Sequence, residues 1–202
     1  MGVLVVGGEG TIGRHVSAEL RRRGHVVVTA GRSSGDVRVD VRHRDSVADM
    51  YREIGGVDAV VATAAHGTTD RLLTLSRDGL LQNMQGKLLG QVDLVLLGQH
   101  HAAAGASFTL TSGIFADEPW PGVTGGAMIN AALHAFVRSA ALELPRGMRV
   151  NVVSPTMVGD SVDSFASTFP GMRRVPMDAL VTGYLSVIEG EQRTGEVVRA
   201  YG

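Results

Sequence analysis

One glycine-rich turn constrains this chain more than any other stretch of its sequence. The segment "VVGGEGTIG" carries Gly7, Gly10 and Gly13 directly after an apolar run and at the start of a segment with helical period. In such a unit the turn must be tight, the backbone must approach a pyrophosphate, and the helix must start close to the strand. Each requirement excludes a Cβ at one position. Free N–H groups and the positive end of the helix then bind the phosphates. The sequence predicts a dinucleotide-binding turn formed by Gly7, Gly10, Thr11, Ile12 and Gly13. The alternative is a turn that binds no ligand.

The alternation of strand and helix continues along the chain. Apolar runs of strand length include "HVVVTAG", "DVRVDV", "VDAVVATAA", "ASFTLTS", "MRVNVVS" and "GEVVRAYG". Helical segments lie between them, among them a short one around 71–75, a long one over 80–104 and one over 122–144. Strands buried on both faces have continuous runs of Val, Ile and Leu, and this order of elements is typical of a parallel sheet with helices on both faces. We therefore predict an α/β fold, a single doubly wound Rossmann-type domain over residues 1–202, with about seven strands.

Composition narrows the class of ligand. With 19 Lys and Arg against 20 Asp and Glu, the formal net charge is −1, which gives no field to attract nucleic acid or an anionic membrane. No apolar run approaches the roughly 18 residues of a membrane span. The absence of cysteine excludes disulfides and fits a cytoplasmic protein. No metal site is expected, because the adjacent His100 and His101 point to different sides of a helix and have no nearby carboxylate in sequence. A small-molecule substrate is the expected partner.

The end of the second strand determines which dinucleotide is expected. An acidic residue that binds the ribose of NAD normally lies about 20 residues after the turn, but "TAGRSSGD" has Arg32, Ser33 and Ser34 there, and Asp36 comes too late. A guanidinium with neighbouring hydroxyls suits a 2′-phosphate, which a carboxylate would repel. NADP(H) is therefore preferred over NAD(H), the alternative being that Arg32 only solvates a loop.

Several stretches resemble the short-chain dehydrogenase/reductase family. "GGEGTIG" is similar to its nucleotide loop, "VDV" with Asp40 and Val41 to its adenine-contacting segment, and "RSAALELPRGMRVNVVSP", ending at Pro155, to its best-known run. The resemblance implies the Rossmann fold, a nicotinamide cofactor and a homo-dimer or homo-tetramer. In place of the family's Asn-Ala-Gly after the fourth strand, this chain has Thr63, Ala64 and Ala65.

The positions of the family's catalytic residues differ in this chain. The resemblance places Gly126 where the family has its tyrosine and Asn130 where it has its lysine. Its serine corresponds to Ser112 or Thr111, and its helical asparagine to Lys87, with Asn83 as the alternative. Glycine supplies no proton, so the usual mechanism does not carry over.

Any proton must then come from another side chain. The candidates are Ser112 and Thr111 at the end of a strand, Lys87, and His66 after the fourth strand. Asn130 keeps the ability to hydrogen-bond a ribose. Each has a plain alternative: strand capping for the hydroxyls, a surface position for Lys87, solvation for His66. His134, on the same helical face as Asn130, is expected to serve packing or an interface.

Two aromatic segments follow strands and so lie over the carboxyl ends of the sheet, where such sheets bind ligands. They are 113–123, with Phe115 and Trp120, and 155–174, with Phe165 and Phe169. The aromatic side chains either form a substrate wall or fix the loops to the body.

Three functional hypotheses remain. The first is an NADP(H)-dependent oxidoreductase that acts on a small carbonyl or alcohol through a non-standard proton source. The second is a non-redox enzyme, such as a cyclase, dehydratase or isomerase, on the same scaffold. The third is an NADP(H)-binding sensor without turnover.

Overall fold

The computed structural model describes residues 1–64, 71–158, 168–190 and 192–202. Its strands are β1 (Gly2–Val6), β2 (Val26–Gly31), β3 (Val37–Arg38), β4 (Ala59–Ala62), β5 (Ser107–Thr111), β6 (Arg149–Pro155), β7 (Met157–Val158), β8 (Arg174–Val175) and β9 (Val197–Ala200). Its helices are α1 (Gly13–Arg22), α2 (Arg44–Ile54), α3 (Arg77–Asn83), α4 (Gly90–Gly98), α5 (Thr124–Ala140) and α6 (Met177–Ile188). A π-helix (Met84–Leu89) joins α3 to α4, and a short 3₁₀-helix (Ile114–Ala116) follows β5.

Among the described residues, seven strands form one parallel sheet in the order β3-β2-β1-β4-β5-β6-β9. The chain runs outward from β1 to β3 and then crosses back to β4 on the other side of β1. Open α/β sheets bind ligands at this reversal, beyond the carboxyl ends of the strands. The predicted doubly wound α/β fold is confirmed. A pair of short strands, β7 and β8, lies apart from the sheet, within the segment that the sequence predicts as a loop.

The valine-rich strands are buried on both faces. On β1, Leu4 and Val6 pack in the cluster that includes α2, α4 and α5, whereas Val3 and Val5 pack in the cluster that includes α1 and α6. Successive side chains of a strand point to opposite faces, so an unbroken apolar run needs a helical layer on each side. Each layer then protects one face of the sheet from water.

Helix α5 combines packing with the site. Ile129, Leu133 and Val137 recur at a spacing of four and form its buried apolar stripe. Asn130 and His134 each follow one residue of this stripe and are buried too. Two polar side chains are therefore held inside the protein by the packing of their neighbours.

The segment between β4 and α3 differs from the prediction. Residues 71–75 form a single turn closed on Arg71 O rather than a helix. Ser76 then caps α3, since its Oγ accepts a hydrogen bond from Gly79 N at 3.0 Å. Apolar periodicity does not reveal such a cap, because Ser76 contributes a hydrogen bond and no apolar contact. The helix therefore begins at Arg77.

Two other elements are shorter than predicted. The strand expected over 36–41 is reduced to Val37–Arg38, because the amide of Asp40 donates to Ser46 Oγ instead of continuing the ladder. The long helix expected over 80–104 is interrupted by the π-helix and ends at Gly98. A Cβ at Gly98 would lie only 2.6 Å from a ring carbon of Phe108, so this glycine lets α4 pack closely on β5.

Among the described residues, no helix combines the length and the apolar character that crossing a bilayer requires.

Candidate active site and nucleotide cleft

The glycine-rich turn has the geometry that a phosphate-binding turn needs. Gly7 has φ +83°, and a Cβ there would lie 2.5 Å from Ala64 N. A Cβ at Gly13 would overlap Gly7 O and lie 2.7 Å from Thr63 Oγ1. Gly10 N donates to Gly7 O at 2.9 Å and closes the turn. These close approaches explain why glycine occupies the turn.

The start of α1 presents unpaired donors. Within the described ranges, the amides of Thr11 and Ile12 donate to no backbone carbonyl. They precede the first residue of α1, where the helix dipole is positive. Such amides bind phosphate oxygens without any change of the backbone.

Thr63 and Ala64 brace the turn from the end of β4. Thr63 Oγ1 lies 3.0 Å from Val6 O and 3.1 Å from Gly7 O, so its single proton is shared between two carbonyls. Ala64 N also donates to Val6 O, at 3.0 Å. The Thr63 hydroxyl therefore fixes the turn and is not available as a proton donor.

A cleft of about 200 Å³ lies between the ends of β2 and β3. The predicted nucleotide residues that line it are Arg32, Ser33, Asp40, Val41 and Ala64. The cleft also adjoins Val6, the last residue before the glycine-rich turn. The structure thus brings together residues that lie up to 32 positions apart in the sequence.

Two arginines, Arg32 and Arg42, line this cleft. Arg32 is exposed and forms no ion pair with any described residue. Arg42, which sequence reasoning missed, also lines the cleft, and its Nε donates to Asp40 Oδ1 at 2.9 Å. This hydrogen bond lowers the pKa of Asp40 to about 2. The spacing Asp-x-Arg in "VDVR" was the available signal.

Asp36 does not take part in the cleft. Thr29 donates to its carboxylate from both the backbone amide, at 2.8 Å, and the hydroxyl, at 2.9 Å. These bonds hold the pKa of Asp36 below its usual range. Its carboxylate therefore closes the loop after β2.

A second cavity, of about 330 Å³, lies beyond the carboxyl ends of β4, β5 and β6. Its polar lining residues are Thr63, Lys87, Thr111, Ser112, Asn130 and Thr156, and its apolar ones include Ile12, Ile114, Phe115, Pro155, Met157, Val158, Phe169 and Met172. The apolar lining favours a small organic molecule with few polar groups. Of the predicted site residues, Ile12, Thr63, Lys87, Thr111, Ser112, Asn130 and Pro155 meet here.

Alternation along β5 separates the two hydroxyl candidates. Thr111 Oγ1 donates to Ala62 O at 2.6 Å and lies 2.6 Å from the hydroxyl of Tyr184 on α6. Because its only proton goes to Ala62 O, Tyr184 donates to it. Ser112 points to the other face, where its Oγ lies 2.8 Å from His134 Nε2. Thr111 therefore has no proton for the cavity, whereas Ser112 also lines the cavity and its hydroxyl is bonded to His134.

Lys87 enters the cavity from the π-helix. Its Nζ donates to Ser112 O at 2.9 Å. Burial lowers the pKa of Lys87 to about 8, because a buried ammonium loses hydration. A π-helix inserts one extra residue into a helical turn and is frequent at functional sites. Here it carries the ammonium to the end of β5.

Asn130 supplies an unused acceptor. It is 3% exposed and lines the cavity, and its Oδ1 has no hydrogen-bond partner among the described residues. A buried acceptor without a partner costs about 1–3 kcal/mol. A ligand hydroxyl that donates to this atom removes the cost, and the ribose of a dinucleotide carries such hydroxyls. The residues of the turn and of this cavity therefore fit a nicotinamide dinucleotide.

Gly126 leaves room on the α5 side of the site. A Cβ at this position would meet no atom within 4 Å. His66 and Phe165, two further residues that the sequence singles out, lie outside the described residues.

The aromatic side chains of the two loops contact one another. The ring centroids of Phe115 and Phe169 lie 5.1 Å apart, and those of Trp120 and Phe169 lie 6.3 Å apart. Phe115 and Phe169 also line the cavity. The two alternatives for these residues are therefore compatible, since the same contact joins the loops and forms an apolar wall.

The chain is similar to several known proteins in sequence and in fold. A family model described as enoyl-(acyl carrier protein) reductase matches residues 8–183. The crystal structure of the protein lin1944 from Listeria innocua is 38% identical over the whole of both chains, with a TM-score of 0.96. A small-chain dehydrogenase is 25% identical, covering 100% of this chain and 96% of that chain, with a TM-score of 0.86. A small-chain dehydrogenase in complex with NADPH is 23% identical, covering 98% and 95%, with a TM-score of 0.87. No curated protein matches this sequence.

Proposed function

Since the chain belongs to the short-chain dehydrogenase/reductase family, we propose that it is an NADP(H)-dependent oxidoreductase that interconverts a small carbonyl compound and its alcohol. The observation that carries this proposal is Lys87, whose Nζ lies 2.9 Å from Ser112 O inside the cavity. Lys87 offers a proton source. The positions where the family has its tyrosine and lysine hold Gly126 and Asn130 in this chain, and neither supplies a proton.

Different residues of the chain would bind different parts of the cofactor. The amides of Thr11 and Ile12 would hold the pyrophosphate, and Asn130 Oδ1 would accept a hydrogen bond from a ribose hydroxyl. When bound, the nicotinamide supplies the hydride or takes it up. Arg32 and Arg42 would pair with a 2′-phosphate. These two cationic side chains are the basis for preferring NADP(H).

Lys87 and Ser112 would act on the substrate oxygen. An ammonium has three N–H donors, and one is used on Ser112 O. The others can face a carbonyl oxygen in the cavity. With a pKa of about 8, Lys87 is mostly protonated at neutral pH and yet gives up a proton more readily than an ordinary lysine. General acid catalysis of this kind typically contributes about 10²- to 10⁴-fold.

The test compares Lys87→Met with the wild type on a panel of small aldehydes, ketones and quinones. We expect NADPH oxidation to fall about 100-fold or more, with the NADPH dissociation constant changed less than about threefold. Arg77→Met, a change on the exposed surface of α3, is the matched control and should leave the rate unchanged. If the wild type consumes no NADPH with any member of the panel and forms none from NADP⁺ and the corresponding alcohols, the oxidoreductase proposal is wrong.

The cofactor preference has its own test. Arg32→Ala should weaken NADPH binding about tenfold or more, because the 2′-phosphate loses a charged partner, and should leave NADH binding unchanged. Arg38→Ala, on β3 and also exposed, is the control. Isothermal titration with both nucleotides measures the effect, and equal losses for NADPH and NADH would contradict it.

The space at Gly126 favours a second candidate from another class. A cavity with no phenol on α5 suits a protein that binds NADP(H) without hydride transfer, as a sensor or as a non-redox enzyme such as a cyclase, dehydratase or isomerase. Tight NADPH binding without any change in NADPH absorbance on the panel would support this candidate.

We further propose a homo-dimer or homo-tetramer. One face of α5 exposes the small residues Ala131, Ala135 and Ser139, spaced by four, and Met128 beside them is 46% exposed. Small side chains at this spacing let two helices approach closely. Light scattering after size exclusion measures the mass, and a monomer would contradict the proposal.

A further inference from the structure

A buried serine–histidine pair links the lining of the cavity to helix α5. Ser112 Oγ and His134 Nε2 lie 2.8 Å apart, and the two residues are 3% and 5% exposed. Ser112 lines the cavity, whereas His134 does not. The histidine therefore reaches a ligand only through the serine.

The charged groups that face His134 come from three elements. Asp117 follows the 3₁₀-helix, Arg199 lies on β9, and Arg138 lies one turn further along α5. Asp117 is occupied, because Arg199 Nε donates to it at 2.8 Å and the Tyr201 hydroxyl donates at 2.5 Å. Burial is the largest effect and lowers the pKa of His134. The ring is neutral at neutral pH and gains a proton only under more acidic conditions than an ordinary histidine.

The hydrogen bond to His134 is not needed to hold the backbone of Ser112. Ser112 N donates to Val153 O at 2.9 Å, and Ser112 O accepts from Lys87 Nζ at 2.9 Å. Both backbone groups are thus fixed by other partners. What remains for His134 to determine is the direction of the hydroxyl proton, which rotates freely about the Cβ–Oγ bond.

We propose that His134 is a positioning residue that decides whether the Ser112 hydroxyl donates into the cavity or accepts from it. A serine hydroxyl has one proton and two lone pairs. When Nε2 carries a proton, it donates to Ser112 Oγ, and the serine proton is left to donate to a carbonyl oxygen. When Nε2 is an acceptor, the serine proton goes to the ring, and Ser112 presents lone pairs to the hydroxyl of an alcohol.

This inference rests on the proposed oxidoreductase function. It adds how pH affects carbonyl reduction and alcohol oxidation separately. Protonation of His134 removes the accepting state of Nε2, so acid favours the serine that serves carbonyl reduction. Deprotonation restores the accepting state, which serves alcohol oxidation. The two directions therefore acquire opposite pH dependences from one histidine, separate from the effect of Lys87 near a pKa of about 8.

A spectroscopic experiment tests the pair without cofactor or substrate. The full chain with ¹⁵N-labelled histidine is titrated by NMR as wild type and as Ser112→Ala. We expect the Nε2 shift and the titration midpoint of His134 to change in Ser112→Ala, while those of the exposed His100 stay the same. An unchanged His134 titration overturns the proposal, whether or not the protein turns over.

A kinetic experiment tests the consequence, with NADPH and 4-nitrobenzaldehyde and, in reverse, NADP⁺ and the corresponding alcohol. His134→Gln keeps a neutral hydrogen-bonding group, so we expect it to retain kcat within about threefold but to lose the acid limb of the reduction profile. His134→Leu should lower kcat about tenfold or more with KM nearly unchanged, and His100→Leu should match the wild type. A His134→Leu protein that folds and keeps wild-type kcat and pH profile overturns the proposal alone. A wild type that never transfers hydride overturns the proposed function instead.

Discussion

Asn130 illustrates how one side chain changes what a site can do. In place of a lysine it brings no charge and no titratable proton, but its buried Oδ1 has no partner among the described residues. A ligand hydroxyl is the group that would complete it. Lys87 brings an ammonium to the same cavity. In the proposed function, ribose binding by Asn130 and proton supply by Lys87 would thus be divided between two residues.

Asn130→Leu should separate stability from binding. The change removes an acceptor that has no partner among the described residues, so we expect the free energy of unfolding in urea to stay equal or rise by about 1 kcal/mol, while the affinity for NADPH falls about tenfold. Asn151→Leu is the matched control. Asn151 is also buried, but its amide donates to Arg193 O at 2.8 Å and accepts from Glu196 N at 3.0 Å. That variant should lose about 1–3 kcal/mol. A destabilisation of the same size in both variants would contradict the role given to Asn130.

The unit of β1, the glycine turn and α1 shows how an element limits its own sequence. Gly13 lies where the helix start meets Gly7 O and Thr63 Oγ1, so any side chain there would push α1 away from β1 and β4. The amides of Thr11 and Ile12 would move with it. Packing and phosphate binding are therefore coupled through a single position.

Gly13→Ala should lower both stability and nucleotide affinity. We expect a loss of about 1–3 kcal/mol in the free energy of unfolding, typical of an overpacked site, and at least about tenfold weaker NADPH binding. Gly10→Ala is the milder comparison, because a Cβ there would lie 3.2 Å from Gly7 O and its neighbour can give way slightly. Chemical denaturation and isothermal titration measure the two effects, and a Gly13→Ala protein that binds NADPH like the wild type would contradict the coupling.

The π-helix is an element that apolar periodicity cannot predict. One extra residue in a turn changes the direction of only a few side chains, and the apolar pattern of α3 and α4 remains close to a period of 3.6. Gly90, at the start of α4, lets the helix approach the segment after β3, because a Cβ there would lie 2.8 Å from Val41 O. The long helical run was predicted, but the placement of Lys87 inside the cavity depends on these local departures.

At the scale of the whole molecule, Lys87 contributes a pH dependence of stability above neutral pH. Its folded pKa, about 8, lies below the ordinary lysine value of 10.5, so the unfolded chain binds more protons between these values. The free energy of unfolding therefore rises with pH across this window. Below it, the buried charge destabilises the fold by about 3 kcal/mol, since one pKa unit corresponds to about 1.4 kcal/mol.

Lys87→Met isolates this contribution. We expect the variant to be more stable than the wild type at neutral pH and the difference to disappear as the pH approaches 10.5. Using the difference between the two proteins cancels the buried tyrosines Tyr51 and Tyr184, whose pKa values burial raises. Urea unfolding at several pH values measures it, and a difference that does not depend on pH would show that Lys87 keeps its ordinary pKa.

The sequence by itself determined the Rossmann-type fold, the place of the nucleotide turn and the family, because these follow from local patterns: valine runs, helical periods and glycine spacing. Tertiary structure decided what those patterns leave open. Which face Thr111 and Ser112 point to, the bond between Ser112 and His134 and the entry of Lys87 all depend on contacts between different elements. A buried hydrogen bond or a shifted pKa depends on which atoms surround a group, and only the packing of helices on the sheet sets those neighbours.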